Sequence, residues 1–295
     1  MNQTRKDKHS IMQIIEKQVK VKEYLTKSNL PDSDYVINPY IGCPHACKYC
    51  YACFMKRFTG HKEAWGTFID IKVCEKPINI KKLEGKSVFL SSVTDCYNAF
   101  EEKYESTRNI LIQLIEANCQ LGISTKSKLI VRDLDLLKQM KNLKVSVSIN
   151  TLSEAFREDM DNASSIKERL DTLKILHENG IYTILFMSPI FPYITDFKEI
   201  IQKSKAFVNE YWFENLNLRG DYKKYILEYI REKYPELTEK YVDIYNRKNK
   251  TYWIELSQEI EKYCLNNQIN YINYFYHEKL VEAKRKKVEF SGGTL

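Results

Sequence analysis

The segment Gly42-Cys43-Pro44-His45-Ala46-Cys47-Lys48-Tyr49-Cys50-Tyr51 carries more information about fold and chemistry than any other part of the chain. It separates three cysteines by three and then two residues and places an aromatic residue directly before the third. Four cysteines normally hold a cubane iron–sulfur cluster, so three thiolates on one loop leave one iron with an open position. An exchangeable ligand can bind at that iron and receive an electron.

A tetrahedral zinc site is the alternative for the same cysteines. Zinc sites usually combine two pairs of ligands, and no second pair follows in this sequence. Cys53 continues the run as Cys50-Tyr51-Ala52-Cys53 and would supply a fourth local ligand. The sequence therefore predicts a metal centre at this loop and favours the cluster over a zinc ion.

The composition is typical of a globular protein of the cytoplasm. The chain has 295 residues, 43% of them hydrophobic, enough for one large α/β domain or two smaller ones. No apolar run approaches the roughly 20 residues of a membrane helix, and Met1–Ser10 lack the apolar stretch of a signal peptide. Eight cysteines, three of them clustered, suit a reducing compartment. We expect a cytoplasmic protein that makes no membrane contact.

The formal net charge of +7 favours an anionic partner, such as nucleic acid. Lys, Ile, Asn and Tyr are all abundant, however, as AT-rich coding alone would make them, so the charge has limited weight. The run Lys284-Arg285-Lys286-Lys287 is the most local basic feature. A solvated helix end explains this run at least as well as phosphate contacts do.

Short apolar runs alternate with helical patterns between Tyr35 and Leu218, which is typical of repeated βα units on a parallel sheet. The predicted strands are Tyr35–Asn38, Ser87–Ser92, Leu121–Thr125, Val145–Asn150, Ile181–Met187 and Trp212–Leu218. The predicted helices between them are Ser106–Cys119, Arg132–Lys141, Ser165–Asn179 and Asp196–Phe207. Six units are too few to close an eight-stranded barrel. The predicted class is therefore α/β, an open partial (β/α)6 TIM-like barrel.

The pattern changes on both sides of this barrel. We predict an N-terminal extension over residues 1–34, the barrel over residues 35–220, and a helical C-terminal extension over residues 221–295. The extension reads as helices at Tyr222–Tyr234, Pro235–Asn249 and Trp253–Asn267 and a short strand at Tyr271–Phe275. We expect it to pack on the barrel rather than to form a separate domain.

Polar side chains follow four of the predicted strands. Functional groups of parallel α/β folds collect at the carboxyl ends of strands, and the cysteine loop follows the first strand. The candidate cofactor-binding residues at these ends are Ser92, Thr94, Asp95, Lys126, Ser148 and Asn150. Helix capping explains any one polar strand end, but four in succession predict a ligand cavity. A lysine at the carboxyl end of a buried strand, such as Lys126, needs a carboxylate partner.

The cysteine run, with Tyr49 before its third cysteine, resembles the radical SAM superfamily. The resemblance implies a 4Fe–4S cluster on Cys43, Cys47 and Cys50, with S-adenosyl-L-methionine (SAM) chelating the open iron. It further implies reductive cleavage of the sulfonium, release of a 5′-deoxyadenosyl radical, and a reductant such as flavodoxin or ferredoxin. In such enzymes the cofactor carries the chemistry, and the protein positions and shields it.

Further segments resemble the spore photoproduct lyase-like branch of that superfamily, also labelled DNA repair photolyases. They are Asn38-Pro39-Tyr40, Thr94-Asp95-x-Tyr97, Thr125-Lys126-Ser127, Arg132-Asp133, Ser148-Ile149-Asn150 and Ser188-Pro189-Ile190. The resemblance implies that Thr94, Lys126 and Ser148 hold the methionyl part of SAM and that Tyr49 lies against its adenine side. It also implies lyase-like chemistry, with nucleic acid as one substrate class. A general likeness to the radical SAM mobile pair proteins, subgroup B, implies a second radical SAM protein as partner.

Spore photoproduct lyase has a hydrogen-donating cysteine near the end of its second strand, where this sequence has Ser92. A hydroxyl O–H bond is too strong to give up its hydrogen to a carbon radical easily, whereas a thiol S–H bond is weaker. Cys96 lies four residues on and is the candidate catalytic hydrogen donor. A buried packing thiol is the alternative. For the whole chain, the alternative to a radical SAM enzyme is a zinc-binding, non-catalytic nucleic-acid module.

Overall fold

The computed structural model describes residues 14–275 of the chain. Its strands are β1 (Ile15–Lys20), β2 (Leu25–Lys27), β3 (Tyr35–Ile37), β4 (Tyr40–Ile41), β5 (Phe68–Val73), β6 (Ser87–Leu90), β7 (Gln120–Thr125), β8 (Leu143–Ser148), β9 (Tyr182–Ile190), β10 (Glu210–Asn215) and β11 (Tyr271–Asn273). Its α-helices are α1 (Glu101–Tyr104), α2 (Ser106–Leu114), α3 (Leu134–Leu137), α4 (Glu154–Met160), α5 (Ile166–Glu178), α6 (Phe197–Ser204), α7 (Gly220–Lys233), α8 (Thr238–Tyr245) and α9 (Thr251–Asn266). Short 3₁₀ helices occupy Tyr51–Phe58, Ile80–Leu83, Lys128–Asp133 and Pro235–Leu237.

The main sheet has the strand order β2-β3-β6-β7-β8-β9-β10-β11. Strands β3 to β10 of this sheet are parallel and neighbour one another in chain order, as expected for successive βα units. Strand β2 is antiparallel to β3, and β11 is parallel to β10. Within the described residues these two edge strands do not pair with each other. The prediction of a six-stranded partial barrel is confirmed.

The barrel forms because its strands are apolar on the face toward the helices. Val145 and Val147 of β8 are fully buried, as is Ile123 of β7. Helix α5, which packs on β8 and β9, begins with a capping box between Ser165 and Glu168. The alternate positions of the same strands carry small or polar side chains, and these line the barrel interior.

A second sheet, with the order β1-β5-β4, was not predicted. Strand β1 is parallel to β5, and β4 is antiparallel to it. Residues 15–27, which fall within the predicted N-terminal extension, thus supply one strand to each sheet. Strand β1 reads Ile-Glu-Lys-Gln-Val-Lys and is mostly exposed, so it has no apolar pattern from which a strand could be predicted.

Several helices differ from their predicted bounds. Helix α2 ends at Leu114 rather than at Cys119. The helix predicted over Arg132–Lys141 is instead a 3₁₀ segment followed by the single turn of α3. Buried Asp133 between them accepts bonds from Arg108 and Arg132, and this local network holds the backbone in the irregular path.

The C-terminal part packs on the barrel through its helices and its last strand. Tyr241 of α8 is buried and donates to the carbonyl of Pro192 at 3.1 Å. Strand β11 extends the main sheet beside β10. In the part of the chain that is described, no helix is both long and apolar enough to cross a membrane. The basic run at residues 284–287 lies outside the described residues.

Candidate active site

The cysteine loop leaves β4 through a turn that only glycine allows. Gly42 has a φ of +86°, and a Cβ atom there would lie 2.3 Å from the carbonyl oxygen of Phe68. Two backbone hydrogen bonds of 3.1 Å then close tight turns over Cys43–Ala46 and Cys47–Cys50. These turns gather the three cysteines on one compact loop.

The environment of the three thiols raises their pKa values. Burial, together with the charges of Asp95 and Cys50, raises the pKa of the Cys43 thiol to about 12. Burial also raises the pKa of Cys47 and of Cys50, while the charge of Lys126 acts in the opposite direction on both. The three thiols influence one another, so they share one neighbourhood. Iron binding replaces the thiol protons, and the nearby ammonium group favours the thiolate form.

A zinc ion and an iron–sulfur cluster, the two alternatives for the cysteine loop, require different ligand geometries. Among residues 14–275, no three His, Cys, Asp or Glu side chains converge on a point that would hold a single ion. A tetrahedral zinc site needs four ligands around one ion, so the geometry gives the zinc alternative no support. Thiolates on a cubane cluster need no common point, because each binds a different iron. The cluster on these three cysteines stays a prediction.

Lys126 follows β7 and reaches toward the cysteine loop. Its Nζ atom lies 5.9 Å from the centroid of the Tyr49 ring, and its side chain lines a cavity in the barrel. No carboxylate within the described residues pairs with this ammonium. A partly buried cation without an ionic partner favours a ligand that brings a carboxylate.

Asp95 joins three parts of the site through its buried carboxylate. It accepts hydrogen bonds from the Thr125 hydroxyl at 2.8 Å and from the Lys126 amide at 2.7 Å. His45 Nε2 lies 3.1 Å from Asp95 Oδ2, within ion-pair distance but poorly aligned for a hydrogen bond. Burial opposes ionisation, yet His45 and these donors outweigh it and lower the pKa of Asp95 to about 2. Asp95 thus ties the cysteine loop to the ends of β6 and β7.

The two predicted residues near Asp95 in the sequence, Ser92 and Thr94, have different surroundings. The hydroxyl of buried Thr94 donates to the carbonyl of Gly42 at 2.7 Å, so it holds the start of the cysteine loop. Ser92 lines the cavity, and its hydroxyl accepts a bond of 2.9 Å from the Asn38 amide group. Thr94 therefore holds the start of the cysteine loop, and its predicted contact with SAM stays a prediction.

The two candidates at the carboxyl end of β8, Ser148 and Asn150, also differ in whether they line the cavity. Ser148 lines the cavity, and its carbonyl oxygen accepts a bond of 3.2 Å from the buried guanidinium of Arg169. Asn150 is buried and donates from its amide group to the carbonyl of Pro189 at 3.1 Å. Asn150 thus connects the ends of β8 and β9.

Tyr49 is fixed by a buried ion pair that the sequence did not predict. Its ring is buried, and its hydroxyl donates to Asp161 at 3.3 Å. Asp161 in turn pairs with Arg169, and both side chains are 1% exposed. The adjoining Asn162 amide donates to the carbonyl of His45 at 2.8 Å. The segment after α4 thereby holds the cysteine loop at Tyr49 and at His45.

Cys96 is fully buried and is not among the residues that line the cavity. Its amide donates to the Ser91 hydroxyl at 2.8 Å, and its carbonyl oxygen accepts a bond of 2.6 Å from the Thr107 hydroxyl. Burial, together with the charge of Asp95, raises the pKa of its thiol. The role of Cys96 as hydrogen donor stays a prediction, with a buried packing thiol as its alternative.

The cavity itself has a volume of about 750 Å³ and extends from the strand ends into the barrel. Its lining contains charges of both signs. Lys126, Lys141 and Lys144 contribute ammonium groups, and Asp32 and Glu214 contribute carboxylates. A ligand that carries both a carboxylate and nitrogen donors matches this lining.

Glu214 is a second cavity residue that the sequence did not predict. The hydroxyl of Ser188 donates to its carboxylate, and burial and the charge of Glu214 raise the pKa of Tyr51. Beside it the rings of Phe186 and Trp212 meet edge to face at 5.5 Å. A sequence signal could have identified Glu214. In the apolar strand segment Trp212-Phe-Glu214, side chains alternate between the two faces, so the charged Glu214 shares the inward face with Trp212.

Comparison with known protein families shows to which family the chain belongs. Residues 37–203 match the radical SAM superfamily. The chain belongs to this superfamily. The matched range contains the cysteine loop, Lys126 and the polar ends of β6 to β8. The protein is therefore a radical SAM enzyme, and its family implies SAM and an iron–sulfur cluster as cofactors.

Related proteins and solved structures agree with this assignment. An uncharacterized protein of Methanocaldococcus jannaschii is 39% identical over 220 residues, which are 74% of this chain and 83% of that protein. A spore photoproduct lyase variant with bound AdoMet and dinucleoside spore photoproduct has a TM-score of 0.56 and 14% identity, over 80% of this chain and 72% of that one. SuiB of Streptococcus suis bound to S-adenosylmethionine has a TM-score of 0.53 and 14% identity, over 88% and 51%. At these identities the structures establish a shared fold. The relation to the mobile pair proteins stays a prediction.

Proposed function

We propose that Cys43, Cys47 and Cys50 hold a 4Fe–4S cluster and that SAM binds beside it, against Lys126, Ser148 and Ser92. When bound, these cofactors supply reductive carbon–sulfur cleavage and a 5′-deoxyadenosyl radical that abstracts hydrogen from a substrate. The chain itself binds, orients and shields the reacting groups. A flavodoxin or ferredoxin is the proposed electron source.

The observation that carries this proposal is the ammonium group of Lys126. It lines the cavity, lies beside the cysteine loop and has no carboxylate partner within the described residues. The methionyl carboxylate of SAM would satisfy it. The hydroxyl of Ser148 lines the same cavity and is available to a ligand as donor and acceptor.

The remaining part of the cavity is the proposed substrate site. Glu214, Trp212 and Phe186 line the same cavity. Its carboxylate and ring edges suit a planar group with nitrogen donors, which nucleobases provide. The likeness to a spore photoproduct lyase solved with a dinucleoside spore photoproduct makes nucleic acid the first substrate class to test.

The proposal predicts which cysteines the cluster needs. We expect Cys43→Ala, Cys47→Ala and Cys50→Ala, singly and together, to lose iron and sulfide after anaerobic reconstitution, because each removes one iron ligand. Cys53→Ala is the matched control and should reconstitute normally, since Cys53 lies outside the three-ligand pattern. Iron and sulfide analysis and formation of 5′-deoxyadenosine with dithionite measure the outcome. Full cluster content in the triple variant would contradict the assignment.

A further inference from the structure

An exposed surface of aromatic and basic side chains directly follows the cysteine loop. It lies on and after the 3₁₀ helix Tyr51–Phe58, where the Phe54 side chain is 41% exposed and that of Phe58 is 67% exposed. The guanidinium of Arg57 lies over both rings, 5.4 Å from the centroid of Phe54 and 4.7 Å from that of Phe58. Exposed aromatic and arginine side chains together are typical of interaction surfaces.

The positive charges of this surface are not neutralised within the described residues. Lys56 donates to the carbonyl of Lys62 at 3.0 Å, a contact that leaves its charge uncompensated. Neither Arg57 nor Lys62 pairs with a carboxylate there. The adjacent carboxylate of Glu63 is occupied by His61 at 2.9 Å. The surface formed by Phe54, Lys56, Arg57, Phe58 and Lys62 is therefore positively charged.

The position of this surface relates it to the cluster. Cys50 is the residue immediately before the 3₁₀ helix. A 3₁₀ helix rises about 2.0 Å per residue, so Phe54 lies roughly 8 Å and Phe58 roughly 16 Å along its axis from Cys50. A protein seated on these rings would bring its own redox centre close to the cysteine loop without entering the cavity.

We propose that this surface docks a small acidic protein that carries one electron to the cluster. The inference rests on the proposed function. One electron leaves the carrier, which is oxidised, and enters the cluster, which is reduced, while no covalent bond or proton crosses the interface. Weak electron-transfer complexes bury less than about 1,200 Å² in total, so such a complex does not need an extended interface. Opposite charges accelerate such encounters at low ionic strength.

Single-stranded nucleic acid also binds surfaces of aromatic and basic side chains, but the position of this surface favours a carrier protein. None of its five residues lines the cavity in which a substrate would react, whereas Cys50 directly precedes the helix that carries most of them. A carrier protein on this surface would lie near the cysteine loop without entering the cavity.

The test compares two double charge reversals. Arg57→Glu with Lys62→Glu alters the proposed surface, and Lys81→Glu with Lys82→Glu makes the same charge change on the exposed 3₁₀ segment before β6, at the amino end of the sheet. Binding of oxidised flavodoxin is measured by calorimetry at low and high salt. We expect about tenfold weaker binding for the first variant at low salt, a smaller loss at high salt, and little change for the control. Phe58→Ala, which keeps all charges, should also weaken binding.

The second readout is 5′-deoxyadenosine formation with two electron donors. The first variant should be slow with reduced flavodoxin and normal with dithionite, which needs no docking surface. Equal flavodoxin binding by both double variants would overturn the inference. So would loss of binding to a labelled single-stranded oligonucleotide with flavodoxin binding retained. Failure of the wild-type protein to cleave SAM with dithionite would instead refute the proposed function, and the binding measurements would still decide the docking surface.

Discussion

Replacing Lys126 by methionine removes the proposed partner of the SAM carboxylate and keeps most of the apolar stem. A hydrogen bond to a charged group contributes about 1.5–3 kcal/mol to binding. The free ammonium already contacts the Tyr49 ring at 5.9 Å, the outer limit of a cation–π interaction, which contributes about 0.5–1 kcal/mol. The difference of about 1–2 kcal/mol corresponds to a Kd for SAM raised about 5- to 30-fold.

The assay is anaerobic titration of SAM into reconstituted protein at matched iron content. Lys144→Met is the control, because Lys144 lines the same cavity but its Nζ lies 3.2 Å from the Glu210 carboxylate. We expect its SAM affinity to stay within about twofold of the wild type. Iron content should be unchanged in both variants, since neither lysine is a cluster ligand.

Wild-type affinity in Lys126→Met would refute the reasoning, because it would remove the lysine from the SAM site. An equal loss in Lys144→Met would also refute it, since the effect would then come from the overall charge of the cavity. A loss confined to Lys126→Met supports a specific contact with the carboxylate.

Three further variants test the framework around the site. The folded-state pKa of Asp95, about 2, lies below the usual value of an aspartate, so its ionised carboxylate stabilises the fold above that usual value and the stabilisation is lost as pH falls toward 2. Between about pH 5 and pH 2 we expect the unfolding free energy of the iron-free wild type to fall by about 2 kcal/mol more than that of Asp95→Asn, measured by urea titration. An equal dependence of unfolding free energy on pH in the two proteins would contradict this. Arg169→Met leaves Asp161 buried without a partner and should lower the unfolding free energy by about 3–5 kcal/mol, whereas Lys167→Met, at an exposed pair, should change it little. Cys96→Ala should keep its iron content and its SAM cleavage without substrate, measured chromatographically, because the residue is fully buried and does not line the cavity; loss of cleavage at full iron content would contradict this.

The barrel could be predicted because its strands are buried runs of apolar residues between helical patterns. Strands β6 to β10 begin within two residues of their predicted starts. The second sheet could not be predicted, since β1 is exposed and depends on its partner β5 for its conformation. The partner strand β5 lies more than 50 residues further along the chain than β1. A polar segment such as β1 therefore has no local sequence pattern that indicates this pairing.

The part of the site that has a local sequence pattern was also predictable. The cysteine loop and Lys126 stand at strand ends, where topology alone brings them together. The Asp161–Arg169 pair became visible only in three dimensions, whereas Glu214 has a local signal, its inward position on an apolar strand, that the strand prediction did not use. Asp161 follows α4, a helix that was not predicted. An acidic residue in a loop is usually exposed to solvent, so its burial and its pairing with Arg169 could not be predicted.

What separates a ligand-binding side chain from a framework side chain here is whether its hydrogen bonds are already made. Thr94 and Asp95 belong to the same motif as Ser92, yet their oxygens are engaged by the cysteine loop and by β7. Recruiting such a group to a ligand would break an existing buried bond at a cost of about 1–3 kcal/mol. Lys126, without a carboxylate partner among the described residues, and the cavity-facing Ser148 need no such exchange. The polar contacts to SAM should therefore come from these two residues and from Ser92, which lines the same cavity, while Thr94 and Asp95 hold the cysteine loop in place.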